Sequence, residues 1–193
     1  SEGCGARPGV PKRILLRQAL IRHPDFYKMR MLIAQISDLH VMAPGELAFD
    51  RFDTSANLAR CVAHILQLRP APDAVLASGD LVDGGSAGEY QRVRGLLAPL
   101  GMPVYVIPGN HDERAALCAG FGDHPYLPRA GGKVRYVVEH GEVRLVALDT
   151  VVPGEDGGTL AADQLDWLES TLGAEPHKPT LVFMHHPPVK TGT

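Results

Sequence analysis

Four stretches of this sequence place carboxylate, amide and imidazole side chains directly after an apolar run. They are Ser37-Asp38-Leu39-His40, Gly79-Asp80-Leu81-Val82-Asp83, Gly109-Asn110-His111-Asp112 and His185-His186-Pro187-Pro188. These oxygen and nitrogen donors suit manganese, iron or zinc, and the lack of nearby thiols argues against a structural zinc site. Carboxylates held close together repel each other unless a cation or a proton lies between them. The residue types therefore favour a metal centre.

Each of these residues, taken singly, also has a structural explanation. An Asp or Asn after a strand is usually a turn former or a helix cap, and a His at the edge of a core can bond to the backbone. Four separate strands would have to end in this way by chance, so the joint pattern favours the metal centre. Gly79 and Gly109 fit it as well, because a residue without a Cβ atom lets the chain turn sharply without crowding the ligands.

The chemical groups lie in an alternation of strand-like and helix-like segments, read from apolar runs, helical spacing, caps and prolines. The predicted strands are 31–37, 74–79, 103–108 and 180–184, with a hairpin over 133–139 and 142–150; the predicted helices are 53–69, 88–100, 112–119 and 161–172. This order predicts an α/β domain with largely parallel strands, to which the hairpin adds antiparallel pairing.

The position of the polar groups along this alternation predicts a shared site. In open α/β sheets, ligands gather beyond the carboxyl ends of the strands, so the four stretches are expected to meet at one rim. Asp80 follows the central strand, and its carboxylate has two oxygens. Asp80 is therefore the expected bridge between two metal ions.

The first thirty residues differ in charge from the rest of the chain. They carry seven Lys and Arg against two Asp and Glu, whereas the remaining residues carry twelve against twenty, a net charge of −8 within an overall −3. A targeting peptide and an extension outside the fold both fit this basic, proline-broken segment. We expect residues 1–30 to be an N-terminal extension and the domain to cover 31–193.

Composition excludes several classes of protein. No apolar run has the length needed to cross a bilayer, so no membrane association is expected. The net negative charge of residues 31–193 argues against a nucleic-acid partner. The three cysteines, Cys4, Cys61 and Cys118, are odd in number and form no Cys-x-x-Cys pair, a pattern typical of free thiols in a reducing compartment. We therefore expect a cytoplasmic protein.

Taken in order, the four stretches resemble the motifs of the calcineurin-like metallophosphoesterase superfamily. The resemblance runs from Met31 to the end of the chain. The residues within the motifs are most similar to those of bacterial class III cyclic-nucleotide and glycerophosphodiester phosphodiesterases. It implies an α/β fold, a two-sheet mixed β-sandwich flanked by helices in an αββα arrangement. The implied cofactors are two divalent or trivalent metal ions, from among iron, manganese, zinc and cobalt.

The resemblance also implies a role for each residue. The implied metal ligands are Asp38 and His40 for the first ion, Asp80 as the bridge, and Asn110 and His185 for the second. Asn110 and His111 would contact the substrate phosphate, with Asp112 orienting His111 as its catalytic partner. Asp83 and His186 would not bind a metal ion themselves but would contact the residues that do. His185 is preferred over His186 because the family pattern has a histidine two residues before proline.

One family motif is absent from this sequence. The superfamily completes its site with a later Gly-His-x-His block that adds one ligand to each metal, and this chain has none. We therefore expect the domain to be incomplete at its C-terminus and the chain to be feeble or inactive alone. Homo-oligomer formation is expected to depend on that same C-terminal part.

The function implied is hydrolysis of a small phosphodiester, a 3',5'-cyclic nucleotide or a glycerophosphodiester, by attack of a metal-bound hydroxide. The alternatives are another metallophosphoesterase, acting on phosphomonoesters or as a nuclease, and a catalytically silent scaffold. A rival of another class is a serine hydrolase, because Gly84-Gly85-Ser86-Ala87-Gly88 matches the Gly-x-Ser-x-Gly pattern. That pattern requires a turn directly after a strand, and a loop intervenes before Ser86.

Overall fold

In the part of the chain that the structure describes, the first sheet has four strands in the order β1-β2-β3-β4. The computed structural model describes residues 17–19, 31–129 and 132–189. The strands of this sheet are Arg17–Ala19 (β1), Ile33–Ile36 (β2), Ala74–Ser78 (β3) and Val104–Ile107 (β4). β1 pairs antiparallel with β2, and β2, β3 and β4 are parallel. Their carboxyl ends therefore lie at one edge, with β3 between β2 and β4.

The second sheet has three strands in the order β5-β6-β7. Its strands are Tyr136–His140 (β5), Val143–Ala147 (β6) and Thr180–Phe183 (β7). β5 and β6 form the antiparallel hairpin, while β7 pairs parallel with β6. Gly141, at the turn of this hairpin, has a φ of 60°. A left-handed residue suits that turn, and glycine adopts the conformation without steric conflict.

Among the described residues, four helices and one 3₁₀ turn connect the strands. They are Thr54–Gln67 (α1), Ala87–Leu97 (α2), the 3₁₀ turn Ala98–Leu100, Arg114–Gly120 (α3) and Ala162–Ala174 (α4). The Asp53 side chain accepts from the Ala56 N–H and caps α1, and Glu113 caps α3 through the N–H groups of Ala115 and Ala116. Within the described residues, no helix combines the length and apolarity that a membrane span requires.

Residues from both sheets contribute to one hydrophobic core. Ile36, Leu76 and Val106 of the first sheet belong to the same buried cluster as Leu145 and Phe183 of the second. The hydroxyl of Tyr136 on β5 donates to the Val106 carbonyl on β4 at 2.8 Å, a direct hydrogen bond between the sheets. Burial of this apolar surface holds the two sheets together, so the ends of their strands keep fixed positions.

The structure confirms the fold class expected from the sequence, with two mixed sheets and flanking helices. The short helix begins at Arg114 rather than at residue 112, because the Asp112 carboxylate is buried and Glu113 is the cap. Strand β6 ends at Ala147, short of the predicted residue 150. Most of the proposed N-terminal extension lies outside the described residues; within it, 17–19 form β1. The domain boundary at residue 31 stays a prediction.

Leu58 and Leu66 on α1 provide a test of this core. Leu58 is fully buried, whereas Leu66 is 40% exposed. Leu58→Ala leaves a cavity and is expected to lower the free energy of unfolding by about 2–5 kcal/mol. Leu66→Ala, the control on the same helix, should lower it by less than about 1 kcal/mol. Urea denaturation measures both, and equal losses would contradict the assignment of α1's buried face.

Candidate metal centre

The loops that follow β2 and β3 are joined by backbone hydrogen bonds beyond the ends of the strands. The Asp38 N–H donates to the Gly79 carbonyl at 3.1 Å, and the His40 N–H to the Asp80 carbonyl at 2.9 Å. Asp38, His40 and Asp80 have φ values of 58°, 42° and 49°. Three non-glycine residues in this sparsely populated conformation indicate a backbone held in place for its side chains.

Two groups of side chains converge at this rim, and Asp80 belongs to both. One group contains His40, Asp80 and His111, and the other contains Asp38, Asp80 and His185. Within each group the nitrogen and oxygen atoms that could bind an ion lie within 4.8 Å of one another. Asn110 joins the second group, because its Oδ1 lies 3.3 Å from His185 Nε2. The structure thus brings together all five residues expected to bind metal.

The Asp80 carboxylate is the centre of this cluster. Asp80 is 2% exposed, and its Oδ1 accepts a hydrogen bond from the His111 N–H at 3.0 Å. Its Oδ2 lies 3.4 Å from His40 Nε2 and 3.5 Å from His185 Nε2. Burial alone would raise the pKa of Asp80, but the interactions with His185 and the His111 N–H lower that pKa to about 2. The site therefore holds a buried negative charge.

Three imidazoles are anchored through Nδ1. His40 Nδ1 lies 3.0 Å from the Asp83 carboxylate, His111 Nδ1 lies 3.1 Å from the Asp83 carbonyl, and His185 Nδ1 lies 2.9 Å from the Ser78 carbonyl. These oxygens can only accept, so Nδ1 carries the proton in each ring. In the neutral form of each ring, the lone pair of Nε2 is then free. Histidine ligands of metals are commonly oriented in this way.

The hydrogen bonding of these side chains indicates that they are suited to bind a metal ion. Among the described residues, His40 Nε2 is the one buried side-chain nitrogen or oxygen without a hydrogen-bond partner. His185 Nε2 faces Asn110 Oδ1 and Asp80 Oδ2, so in the neutral ring its lone pair meets two oxygens that also carry lone pairs. Burial alone would lower the pKa of His185, but the interaction with Asp80 raises it. A proton or a cation at that position would relieve the repulsion. Buried groups left in this state usually mark a functional site.

Gly79 and Gly109 leave room for the cluster. A Cβ atom on Gly79, whose φ is 94°, would lie 2.5 Å from Nδ1 and 2.6 Å from Cγ of the His185 ring. A Cβ atom on Gly109 would overlap the Asp80 carboxylate and lie 2.8 Å from His185 Nε2. Any larger residue at either position would displace a proposed ligand.

The structure places Asp112 away from the His111 ring. Its Oδ2 accepts from the N–H groups of Leu81 and Gly109, and its Oδ1 accepts from the Tyr90 hydroxyl at 2.9 Å. Burial raises the pKa of Asp112 to about 6, although these hydrogen bonds oppose the rise. Asp112 thus ties the loops after β3 and β4 together, while the Asp83 carbonyl holds the His111 ring.

The ring of His186 contacts Thr150 and Asp156, residues that the sequence analysis did not single out. Its Nδ1 lies 2.7 Å from Thr150 Oγ1, and its Nε2 lies 3.2 Å from the Asp156 carbonyl. Asp149, beside Thr150, forms a bidentate ion pair with Arg114. Asp149 and Thr150 come shortly after the end of β6, just as the proposed ligands come after the ends of their strands. Polar residues after a strand were therefore a sequence pattern that could have pointed to these two residues.

The described contacts of Ser86 include no histidine. Ser86 is the N-cap of α2, where its Oγ accepts from the Glu89 N–H at 3.3 Å and donates to the Glu89 carboxylate at 2.9 Å. This capping box accounts for the serine and its spacing. The described contacts of Ser86 include no base that could activate it as a nucleophile.

Comparisons with known proteins agree with this geometry. Two curated relatives are a probable glycerophosphodiester phosphodiesterase of Arcobacter nitrofigilis, 37% identical over 162 residues, and a 3',5'-cyclic adenosine monophosphate phosphodiesterase of Pseudomonas aeruginosa, 34% identical over 163 residues. Each match covers 84% of this chain but 59% and 57% of the relative, respectively. The chain therefore spans somewhat more than half the length of these relatives.

Solved structures share the fold at low sequence identity. A dimetal phosphatase from Danio rerio matches with a TM-score of 0.61 and 18% identity, over 80% of this chain and 69% of that structure. The protein TT1561 of Thermus thermophilus matches with a TM-score of 0.58 and 14% identity, over 83% and 69%. The family model for the calcineurin-like phosphoesterases matches residues 31–193. This chain belongs to the calcineurin-like phosphoesterase family.

Proposed function

We propose that this chain carries the active site of a phosphodiesterase that uses two metal ions to hydrolyse a small phosphodiester. The observation that carries the proposal is the buried Asp80 carboxylate, which belongs to two groups of metal-binding side chains at once. A single carboxylate that faces two groups is suited to bridge two ions. The curated relatives named above act on glycerophosphodiesters or cyclic nucleotides according to their names, and we propose one of these two substrate classes.

The proposed ligands are Asp38 and His40 for one ion, Asn110 and His185 for the other, and Asp80 for both. In the structure, the Asp38 carboxylate lies in one group with Asp80 and His185 rather than with His40. The assignment of Asp38 to the same ion as His40 therefore rests on the family resemblance. The grouping of His185 with Asn110 rests on their 3.3 Å contact. Oxygen and imidazole donors of this kind suit manganese, iron, zinc or cobalt.

The bound ions would supply charge that neutralises the phosphate oxygens and would lower the pKa of a coordinated water from about 16 to about 7. The protein supplies the geometry. His40 and His185 have side chains that are 10% and 9% exposed, so they can reach only an ion within the cluster.

His111 is the imidazole that a substrate could touch. Its side chain is 37% exposed, far more than those of His40 and His185. The Asp83 carbonyl holds the Nδ1 proton, which leaves Nε2 to interact with a phosphate oxygen or the leaving group. When protonated, Nε2 can donate a hydrogen bond to developing negative charge or pass a proton to the leaving alkoxide. We propose that His111 binds phosphate and does not hold a metal.

Asp80→Asn tests the bridging carboxylate. The amide keeps the shape of the side chain but loses the negative charge that two cations would share, so binding of both ions is expected to fail. Metal content after manganese or cobalt loading and desalting measures the result, and the metal content of the parent chain is the reference. Asp163→Asn, on the exposed surface of α4, is the charge-matched control and should keep both ions. Full metal content in Asp80→Asn would refute the bridge.

His111→Asn separates a substrate contact from a metal ligand. We expect the variant to keep its metal content and to lose about 10²–10⁴-fold in turnover of bis(4-nitrophenyl) phosphate, the range for loss of general acid–base catalysis. His177→Asn, an exposed histidine elsewhere, should change neither quantity. Loss of one ion from His111→Asn would instead make His111 a ligand in the group with His40 and Asp80. Faster hydrolysis of 4-nitrophenyl phosphate than of the diester would favour a phosphomonoesterase.

A further inference from the structure

His185 is the one proposed ligand that comes from the second sheet. Asp38, His40, Asp80 and Asn110 all follow strands of the first sheet, whereas His185 follows β7. The two sheets are separate in their backbone hydrogen bonding. The contact of His185 Nδ1 with the Ser78 carbonyl orients the ring, and a contact within the second half of the chain must hold the end of β7 behind it to within the tolerance of a metal ligand.

Thr150 contacts the residue next to this ligand twice. The Thr150 side chain is buried, with the residue 3% exposed, and its Oγ1 accepts from the His186 N–H at 3.3 Å. The same Oγ1 lies 2.7 Å from His186 Nδ1. His186 Nε2 lies 3.2 Å from the Asp156 carbonyl, which can only accept, so Nε2 carries the ring proton and Nδ1 accepts from the Thr150 hydroxyl. One neutral tautomer thus satisfies all three contacts.

The space around His186 is also closed. A Cβ atom on Gly158 would overlap the His186 ring, so that ring lies directly on the Gly158 backbone. The strand-like bridge between Val151 and Gly158 and the hydrogen bond from the Thr159 N–H to the Thr150 carbonyl hold this segment in place. The His185 and His186 rings are 4.8 Å apart at an angle of 79°. Movement of His186 would therefore move the ligand ring.

The segment that holds His186 is itself tied to the loop that carries Asn110. Arg114, at the start of α3, donates from Nε and Nη2 to the Asp149 carboxylate at 2.6 and 2.9 Å. Its Nη2 also donates to the Val151 carbonyl at 2.8 Å, so one guanidinium contacts both neighbours of Thr150. Asp149 is 1% exposed, and a buried bidentate pair of this kind fixes relative position strongly.

We propose that Thr150 and His186 are positioning residues that set the His185 ring, and that the Arg114–Asp149 pair aligns them with the Asn110 loop. None of the four is a proposed ligand, and none contacts the substrate phosphate in the proposed function, on which this inference rests. The hydroxyl of Thr150 is the specific element. Removing it would leave the His186 N–H and Nδ1 without partners and free the end of β7 to move.

Three variants of the full chain test the link. Thr150→Val keeps the shape of the side chain and removes the hydroxyl, whereas Thr150→Ser retains the hydroxyl. Tyr136→Phe is the matched control, because it removes another buried hydroxyl that bridges the two sheets away from His186. Cobalt titration followed by visible absorption gives the affinity for each ion. We expect Thr150→Val to weaken one of the two ions about 10- to 100-fold. Thr150→Ser and Tyr136→Phe should bind both ions as the parent does.

A second measurement does not depend on metal. In ¹⁵N-histidine-labelled, metal-free protein, long-range ¹H–¹⁵N spectra report which ring nitrogen of His185 is protonated. The parent chain and Thr150→Ser should show a proton on Nδ1 that is held by the Ser78 carbonyl, while Thr150→Val should show that signal weakened by exchange with water. An unchanged His185 spectrum with unchanged cobalt affinities in a folded Thr150→Val variant would overturn the inference. Should that variant not fold, His186→Phe, which removes both ring nitrogens, carries the same expectations.

The two measurements keep the inference separate from the proposed function. Failure of the parent chain to bind cobalt would count against the proposed metal centre, whatever the His185 spectrum shows. Cobalt binding that weakens equally in Thr150→Val and Tyr136→Phe would reflect general loss of stability and would contradict the positioning role. Unfolding temperatures of all variants, measured without metal, provide the comparison.

Discussion

The structure of this rim depends on the burial of one negative charge, the Asp80 carboxylate. An ionised carboxylate that is 2% exposed is stable only when hydrogen bonds and positive charge compensate its lost hydration. The His111 N–H supplies one hydrogen bond, and the rings of His40 and His185 face the other oxygen. The same anion that these groups stabilise draws cations to the site. The two sheets and the loops after their strands hold in place the groups that compensate the buried charge of Asp80.

Backbone strain directs the side chains to this point. Asp38, His40 and Asp80 all adopt positive φ, a conformation that costs about 1–3 kcal/mol at a non-glycine residue. Hydrogen bonds between the two loops continue the pairing of β2 and β3 past the strand ends and hold the strained residues in place. Buried apolar surface beneath the sheets stabilises the domain enough to retain this strain. Asp and His tolerate positive φ better than most residues, and the pairing of the two loops selects that conformation at these positions.

Much of this architecture could be predicted from the sequence, because it depends on local patterns. Apolar runs and caps located the strands and helices, and the carboxyl ends of parallel strands predicted where Asp38, Asp80 and Asn110 would meet. The contacts between the sheets could not be predicted. The link between Thr150 and His186 joins residues 36 positions apart, and the Arg114–Asp149 pair joins residues 35 apart. Such contacts depend on how the sheets pack and on rotamers, which no local pattern encodes.

The most direct test of the account is the position of metal ions in crystals of this protein grown or soaked with manganese. Anomalous diffraction locates such ions independently of any assumed ligand. We predict two peaks about 3.5–4 Å apart, one on each side of the Asp80 carboxylate, with Asn110 and His185 contacting one of them. A single peak, or two peaks of which only one contacts Asp80, would contradict the shared carboxylate on which the proposed chemistry rests.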